Sequence, residues 1–378
     1  METKPKILVT GATGKTGTAV IDQLVKHGWP VRAIVRSIDR RSGRLEALGV
    51  ETVMTDIFDP EQLLKAMDGV QRAYYCSFID PYMIQSVAAF AVAAQAARLE
   101  AIVSLGQWLS SPNHPSLQTR HNWHMEETFS AIPGIAHVRV NPGWFADNNL
   151  RLIAFAVHLG IFPILTGQSK NAPPATEDIA RVAVAALMDP VRHTGRTYRP
   201  TGPELLSGDD IVRILSEVLH RKVRRVDLPW WMFERAARMQ KVSPFQILSV
   251  RHYVRDHREG AFALSAPTNH VLEVTGEPAE SFATTVLRYA ALPENQDTTR
   301  NRVKTLFDFL RNPMSPGYDL AKVERQIGAP APPNPQYAME NPTWLASHGA
   351  QFMSAQAQPL AQQVAGLLDS APLHQRFS

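Results

Sequence analysis

The stretch Ile7-Leu8-Val9-Thr10-Gly11-Ala12-Thr13-Gly14-Lys15-Thr16-Gly17 constrains this chain more than any other. A short apolar run, the length of a buried strand, gives way to three glycines spaced G-x-x-G-x-x-G. Val20, Ile21, Leu24 and Val25 then recur at helical spacing, and Gly28 closes the helix. Between a strand and a helix this spacing has a mechanism. Gly11 permits a tight reversal, Gly14 lets a pyrophosphate approach the backbone, and Gly17 lets the helix pack close to a sheet. Free amides and the positive end of the helix dipole favour an anion at that point. Gly11, Thr13, Gly14, Lys15, Thr16 and Gly17 are therefore candidate cofactor contacts; a glycine turn with no ligand is the plainer alternative. The pattern is not a P-loop, because Thr10 stands where the phosphate loop would begin with glycine.

Strand and helix signals alternate through the first half. Residues 31–35, 52–54, 73–76, 101–105 and 137–140 read as further strands. Helices are expected over 61–67, with Asp59 as N-cap and Pro60 in the first turn, over the Ala-rich 87–97, and around 121–131. This βαβαβ succession predicts an α/β fold with a doubly wound parallel sheet. Ligands of such sheets bind at the carboxyl ends of the strands, which nominates Arg36, Asp56, Ser77, Gly106 and Asn141.

Arg36 is the most informative of these. A site for NAD places an acid at the end of the second strand, to bind the ribose 2′-hydroxyl. Here that place holds Arg36-Ser37, with Arg40 and Arg41 close behind. A guanidinium suits a 2′-phosphate through charge-assisted hydrogen bonds, so NADP(H) is expected over NAD. Asp39 is the rival that would serve NAD, but it comes late. A solvated loop arginine is the alternative.

The 378 residues allow two domains, or one with appendages. A net charge of +4 and no long Lys/Arg run give no reason to expect nucleic acid as a partner. Cys76 is the sole cysteine, so no internal disulfide forms. The polar start runs straight into the first strand, leaving no room for a signal peptide. No stretch reaches the roughly 18 apolar residues of a membrane span. A cytoplasmic protein with no membrane partner is the expectation. In the second half, Thr176 is expected to cap a helix running on through Leu187 and Ser207-Gly208-Asp209-Asp210 to open another, through Leu219. A short strand over 223–228 and a helix over 230–239 follow. Trp230 and Trp231 read as core or subunit contact. From about Leu292 the character changes: proline-rich pieces, above all 328–335, look like linker, and 351–368 is Gln- and Ala-rich with helical tendency, able to dock on the body or a second subunit. The expected division is 1–150, 151–292 and 293–378, with a homodimer open.

These residues resemble the NmrA-like, isoflavone-reductase-like branch of the atypical short-chain dehydrogenases/reductases. The resemblance rests on the glycine turn, on Val35-Arg36-Ser37, on Thr55-Asp56 with Asp59, on Asn141-Pro142-Gly143-Trp144-Phe145-Ala146-Asp147-Asn148 and on Asp178-Ile179-Ala180-Arg181-Val182-Ala183. It covers residues 5–290 or so. It implies a Rossmann-type domain that binds NADP(H) and a smaller substrate-covering α+β part. It also places Asp56 and Ile57 near the adenine, Cys76, Ser77 and Phe78 along the cofactor, and the Asn141-Pro142 turn beside it.

The departures matter as much. No tyrosine here has a lysine four residues on; Tyr82 is followed by Ser86. The reductases of this branch often keep a lysine on the helix before the Pro-Gly loop, and Arg120-His121-Asn122-Trp123-His124-Met125-Glu126-Glu127 contains none. Trp123 or His124 takes its place, and Asn141-Pro142 replaces the usual Arg-Pro. His124, since imidazole titrates near neutral pH, or an ordered water is the candidate proton donor; Ser104 is the candidate holder of the substrate oxygen. His121 and His124 lack a third ligand, so no metal is expected. Trp108, Trp144 and Phe145 are the expected pocket walls. The function expected is hydride transfer to a small apolar or aromatic carbonyl, quinone or enone. The rival is a non-catalytic sensor of NADP(H).

Overall fold

The structure, a computed structural model, describes residues 4–349. Seven parallel strands form one sheet in the order β3-β2-β1-β4-β5-β6-β8. They are β1 (Ile7–Val9), β2 (Val31–Val35), β3 (Glu51–Met54), β4 (Arg72–Cys76), β5 (Ala101–Leu105), β6 (Ala136–Val140) and β8 (Thr197–Tyr198). Strand β1 is central, with Val9 in register with Ala33 on one side and Tyr74 on the other. The chain reverses direction across the sheet between β1 and β4, the place where such sheets open a crevice. The last strand comes from beyond residue 150.

Side-chain alternation explains the layers. Ile7, Val9, Tyr74 and Val103 face the layer of α1 (Lys15–Lys26) and α8 (Thr176–Met188). Leu8, Tyr75 and Ile102 face the opposite layer, formed by α3 (Pro60–Ala66), α4 (Met83–Ala96) and α5 (Leu117–Ser130). Buried on both faces, these strands are continuous apolar runs. Between β2 and β3 lies α2 (Arg40–Ala47), which the sequence reading did not anticipate. Asp39 caps it: its carboxylate accepts from the Arg41 amide at 2.8 Å and pairs with the Arg41 guanidinium at 2.7 Å. The rival ribose ligand is thus engaged in capping.

Much of the second half packs beside the carboxyl ends of the strands, but the end of α8 and the segment after it lie at their amino ends, where Arg72 donates to the Leu187 and Met188 carbonyls and the Gly195 amide to His137. The helices of this half are α6 (Ala146–Leu150), α7 (Ile153–Leu159), α9 (Pro190–His193), α10 (Gly208–Val218), α11 (Trp230–Met239), α12 (Pro244–Arg258), α13 (His270–Thr275) and α14 (Phe282–Ala290). A parallel pair, β7 (Ile161–Ile164) and β9 (Arg224–Asp227), stands apart from the main sheet. Thr176 does not cap α8. Ala175 holds the cap position, and the Thr176 hydroxyl donates to Asp147 at 2.9 Å, a partner the sequence did not reveal. Trp230 packs half-buried against Phe233, whereas Trp231 lies exposed.

The C-terminal segment brings α15 (Thr299–Arg311), α16 (Leu320–Ile327) and α17 (Pro342–Gly349). The proline-rich stretch expected as linker runs back along the body. Arg120 donates to the Pro330 carbonyl at 3.0 Å, Gln336 N–H to Asn113 at 3.0 Å, and Ala338 N–H to Asp256 at 2.9 Å. Prolines favour an extended path, and these three bonds tie the stretch to α5, to the loop before α5 and to α12. The Gln- and Ala-rich 351–368 lies outside the described residues. No described helix is long and apolar enough to cross a membrane.

Candidate functional site

The glycine turn sits at the carboxyl end of β1, pressed against β4. Gly11 has φ +61°, and a Cβ there would lie 3.2 Å from the Cys76 Cβ. A Cβ on Gly17 would run into the Gly11 carbonyl, so α1 can start this close to the strand only with glycine. Gly14 differs. A Cβ there would meet nothing nearer than the Gly11 oxygen at 3.1 Å, so its other sides are open. It stands at the N-cap of α1 with no side-chain cap, and the first turn carries no acid. Uncapped amides with no competing carboxylate leave this helix start receptive to an anion.

Around it the strand order assembles most of the residues singled out from sequence. Thr16 packs beneath the turn, its hydroxyl 3.6 Å from the Cys76 sulfur. Ser77 follows β4, and Phe78 meets Phe58 edge-on at 5.7 Å, tying the loops after β3 and β4 together. Asp56 is exposed, its carboxylate accepting from Phe58 N–H at 3.0 Å, and Ile57 is half-buried behind it. Arg36 and Ser37 stand exposed after β2. Thr13 shares a hollow with Arg40, Arg41 and Arg44. Arg41 pairs with Asp39 and Arg44 with Asp22, while Arg36 and Arg40 make no ion pair among the described residues.

Beyond Thr16 and Ser77 opens a cavity of about 440 Å³. Its floor is Gly106 and Gln107 after β5 and Pro142 after β6. Gln118 and Asn122, four apart on α5, enter from one side. Trp144, Phe145, Ile164, Phe233, Val250 and Tyr253 give it an apolar wall. The Gln118 carbonyl oxygen is buried with no hydrogen-bond partner among the described residues. At the cavity edge, Lys15 donates to Asp147 at 2.8 Å and to the Tyr289 hydroxyl at 2.8 Å. Asp147 is buried. Burial alone would raise its pKa, but Lys15, Tyr289 and Thr176 outweigh burial and hold the carboxyl below its ordinary range.

Beneath the floor lies a buried polar pair. The Asn141 amide donates to Glu126 at 3.1 Å, and a Cβ on Gly106 would strike both side chains. Burial pushes the Glu126 carboxyl up to about 7, against the opposing pull of Ser110, Arg139 and Asn141. The Asn141 carbonyl oxygen has no partner among the described residues.

Three residues expected in the pocket are elsewhere. His124 lies exposed with its ring against Trp123 at 5.0 Å. Two positions past Asn122 is more than half a helical turn, so it leaves the cavity face. Ser104 is fully buried and bonds His137 at 2.8 Å. It sits one residue out of phase with Val103 and Leu105 and so faces the α5 layer. Trp108 is 1% exposed, donating its indole N–H to Ala261 at 2.9 Å, and belongs to the core under α17. Trp144 and Phe145 do line the cavity. His121 is buried, its pKa drawn down to about 4 chiefly by burial, and no metal-holding cluster occurs among the described residues. The sequence reading missed Gln118, Asn122 and Tyr253. Ser116, which caps α5, would have moved the helix start far enough back to reveal the Gln118–Asn122 face; Tyr253 left no signal.

Against known proteins, the family model described as NmrA-like matches residues 3–103. The NAD(P)H azoreductase of Xenophilus azovorans is 30% identical over 291 residues, spanning 75% of this chain and 98% of that protein. A (4-alkanoyl-5-oxo-2,5-dihydrofuran-3-yl)methyl phosphate reductase of Streptomyces griseus is 32% identical, spanning 73% of this chain and 95% of its own. Among solved structures, Citrobacter sp. triphenylmethane reductase complexed with NADP(H) superposes with a TM-score of 0.65 at 23% identity, covering 75% of this chain and all but 1% of that one (99%). The Escherichia coli NADPH-dependent quinone oxidoreductase complexed with NADPH gives 0.63 at 22% identity, with the same 75% and 99% coverage. The two structures establish the shared Rossmann-like fold.

Proposed function

This chain belongs to the NmrA-like family, and on that premise we propose that it is an NAD(P)H-dependent oxidoreductase that reduces an apolar or aromatic acceptor. The observation that carries the reading is the cavity itself. It is apolar on most of its wall, meets the uncapped start of α1 at Lys15 and Thr16, and lies at the carboxyl ends of β1, β4, β5 and β6. The two reductase relatives align over nearly their whole length.

The residues present fit the cofactor. The first turn of α1 and the open side of Gly14 would take the pyrophosphate, with Thr13 and Thr16 beside it. Arg36 at the end of β2 and Arg40 beside Thr13, without ion pairs among the described residues, favour NADP(H) over NAD. Ser77, Gly106 and Pro142 would border the nicotinamide, which supplies the hydride when bound. The walls from Trp144, Phe145 and Phe233 would hold a planar acceptor and exclude water. We assign Tyr253 the part first sought in His124. Burial holds its phenol well above the ordinary range, with Asp256 and Glu126 adding to the effect, so it stays a neutral donor. Its hydroxyl has no hydrogen-bond partner among the described residues and is free for a substrate oxygen or nitrogen. Gln107 and Asn122 supply further polar contacts.

The test is NADPH oxidation with quinones, azo dyes, enones and aromatic carbonyls. Tyr253→Phe should lower kcat by about 10²-fold, as loss of one preorganised donor does, with NADPH affinity near normal. His124→Ala should leave turnover intact. The sensor reading draws on the absence of His124 from the cavity. It requires no turnover with any acceptor, together with a change of assembly state when NADPH is added.

A further inference from the structure

Helix α15 buries one face and leaves the other bare. Thr305 and Phe309 turn inward onto α7, where the Thr305 hydroxyl meets His158 at 2.7 Å and Phe309 meets Phe155 edge-on at 6.1 Å. On the opposite face Val303, Leu306, Phe307 and Leu310, continued by Met314 in the following turn, are 46–86% exposed. Their spacing of three and four makes one unbroken apolar stripe.

The charge beside the stripe says what could cover it. Arg300, Lys304 and Arg311 follow one edge, all exposed and without an ion pair among the described residues. Arg302, on the other edge, pairs with Asp297 at 2.5 Å. Asp308, the one acid of the helix, is half-buried toward the body side. A second copy docking stripe to stripe would bring unpaired cations against cations. An acidic lipid surface satisfies both features at once. The neighbouring element adds an interfacial anchor. Trp231 of α11 is 49% exposed, with the Arg235 guanidinium 5.0 Å from its ring centroid. Arg235 also bonds the Pro313 carbonyl, and Asn312 donates to the Met232 carbonyl at 3.1 Å, so the helix that carries Trp231 packs on the turn that ends in Met314. Tryptophan and cationic side chains at the edge of an apolar stripe belong to the water–lipid boundary.

We propose that α15, with Met314 and Trp231, seats this protein in the plane of an anionic lipid surface. At 13 residues the helix is too short to cross a bilayer. A helix lying in the interface needs no long apolar run, which is why hydropathy along the chain gives no warning of it. The inference does not depend on the reductase reading.

The experiment is flotation of the full chain with phosphatidylcholine vesicles, with and without phosphatidylglycerol. The expected result is binding to the mixed vesicles alone, falling as salt rises. Phe307→Glu with Leu310→Glu should abolish it. Arg300→Gln, Lys304→Gln and Arg311→Gln together, which keep the stripe and the fold, should weaken it by about fivefold per residue removed. NADPH affinity should be the same in every variant. Failure of the full chain to float at low salt would overturn the proposal. So would binding that neither set of changes weakens. A dimer in sedimentation that Phe307→Glu splits, without vesicle binding, would assign the stripe to a second copy instead. Absence of both dimer and vesicle binding would leave residues 350–378 as the cover, and would equally refute a lipid surface.

Discussion

Arg36 stands exposed after β2 and Arg40 beside Thr13, neither with an ion pair among the described residues, while Arg41 and Arg44 are engaged by Asp39 and Asp22. If the free pair meets a 2′-phosphate, Arg36→Glu with Arg40→Glu should cost roughly 1.5–3 kcal/mol per charge-assisted contact in NADPH binding and little in NADH binding. Calorimetric titration of both cofactors decides it, and equal losses for the two would remove the arginines from cofactor choice. Glu126 makes a different prediction. Its folded pKa, about 7, lies above the ordinary 4.5 because burial disfavours the charge. Between those values the folded chain holds a proton that the unfolded chain has lost. Stability from this group is therefore fully present below about 4.5 and lost as pH rises through about 7. The difference is on the order of 3 kcal/mol for a shift of this size. Urea unfolding at pH 5 and pH 8 should show wild type losing more stability across that interval than Glu126→Gln; identical slopes would place the titration elsewhere.

Strands of the first half were legible to within a residue because each is a short apolar run buried on both faces, whereas α4 and α5 begin four residues before the expected starts. The runs that failed had physical causes. Strand β7 contains Pro163 and pairs outside the main sheet. Strand β8 is two residues long, too short for any periodicity. Helix α2 is mostly polar, so its apolar spacing is faint, and only the Asp39–Ser42 capping box marks it. The site divided in the same way. The glycine turn is written in local backbone requirements and was readable. The cavity wall depends on the rotational phase of α5 and on the packing of α12, which no local spacing states, so His124 and Trp108 were misplaced; Ser104 was misplaced against the alternation of its own strand, which turns it away from Val103 and Leu105. Asp147 shows the cost of that blindness. It joins α1, α6, α8 and α14 through Lys15, Thr176 and Tyr289. Asp147→Ala should strand two hydroxyls and lower stability by about 1–3 kcal/mol. Thermal unfolding of this variant beside Lys15→Ala, where the lost side chain is half exposed, should find the aspartate the costlier loss.

At the scale of the molecule, the matched relatives leave about a quarter of this chain unaccounted for, since their alignments span 73% and 75% of it. The described C-terminal segment returns to the wall of the cavity from behind. Helix α12 presents Val250 and Tyr253 to the cavity and Asp256 to that segment. Asp256 is fully buried, bonded to His114 at 2.9 Å through one oxygen and to Ala338 N–H at 2.9 Å through the other. Trp344 then closes over Trp108, its indole donating to the Trp108 carbonyl at 3.2 Å while His348 stacks on it at 4.0 Å. The wall that carries Tyr253 is therefore braced by residues far along the chain, and loosening the brace should be felt in the cavity. Trp344→Ala removes a large buried side chain and should cost about 3–5 kcal/mol. If the proposed site is right, it should also raise KM for the acceptor, because Tyr253 loses its fixed position, while the affinity for NADPH, assigned to the α1 turn, stays unchanged. Unfolding, acceptor kinetics and NADPH titration on one variant separate these effects. A lower melting temperature with an unaltered KM would make the segment a brace for the fold alone.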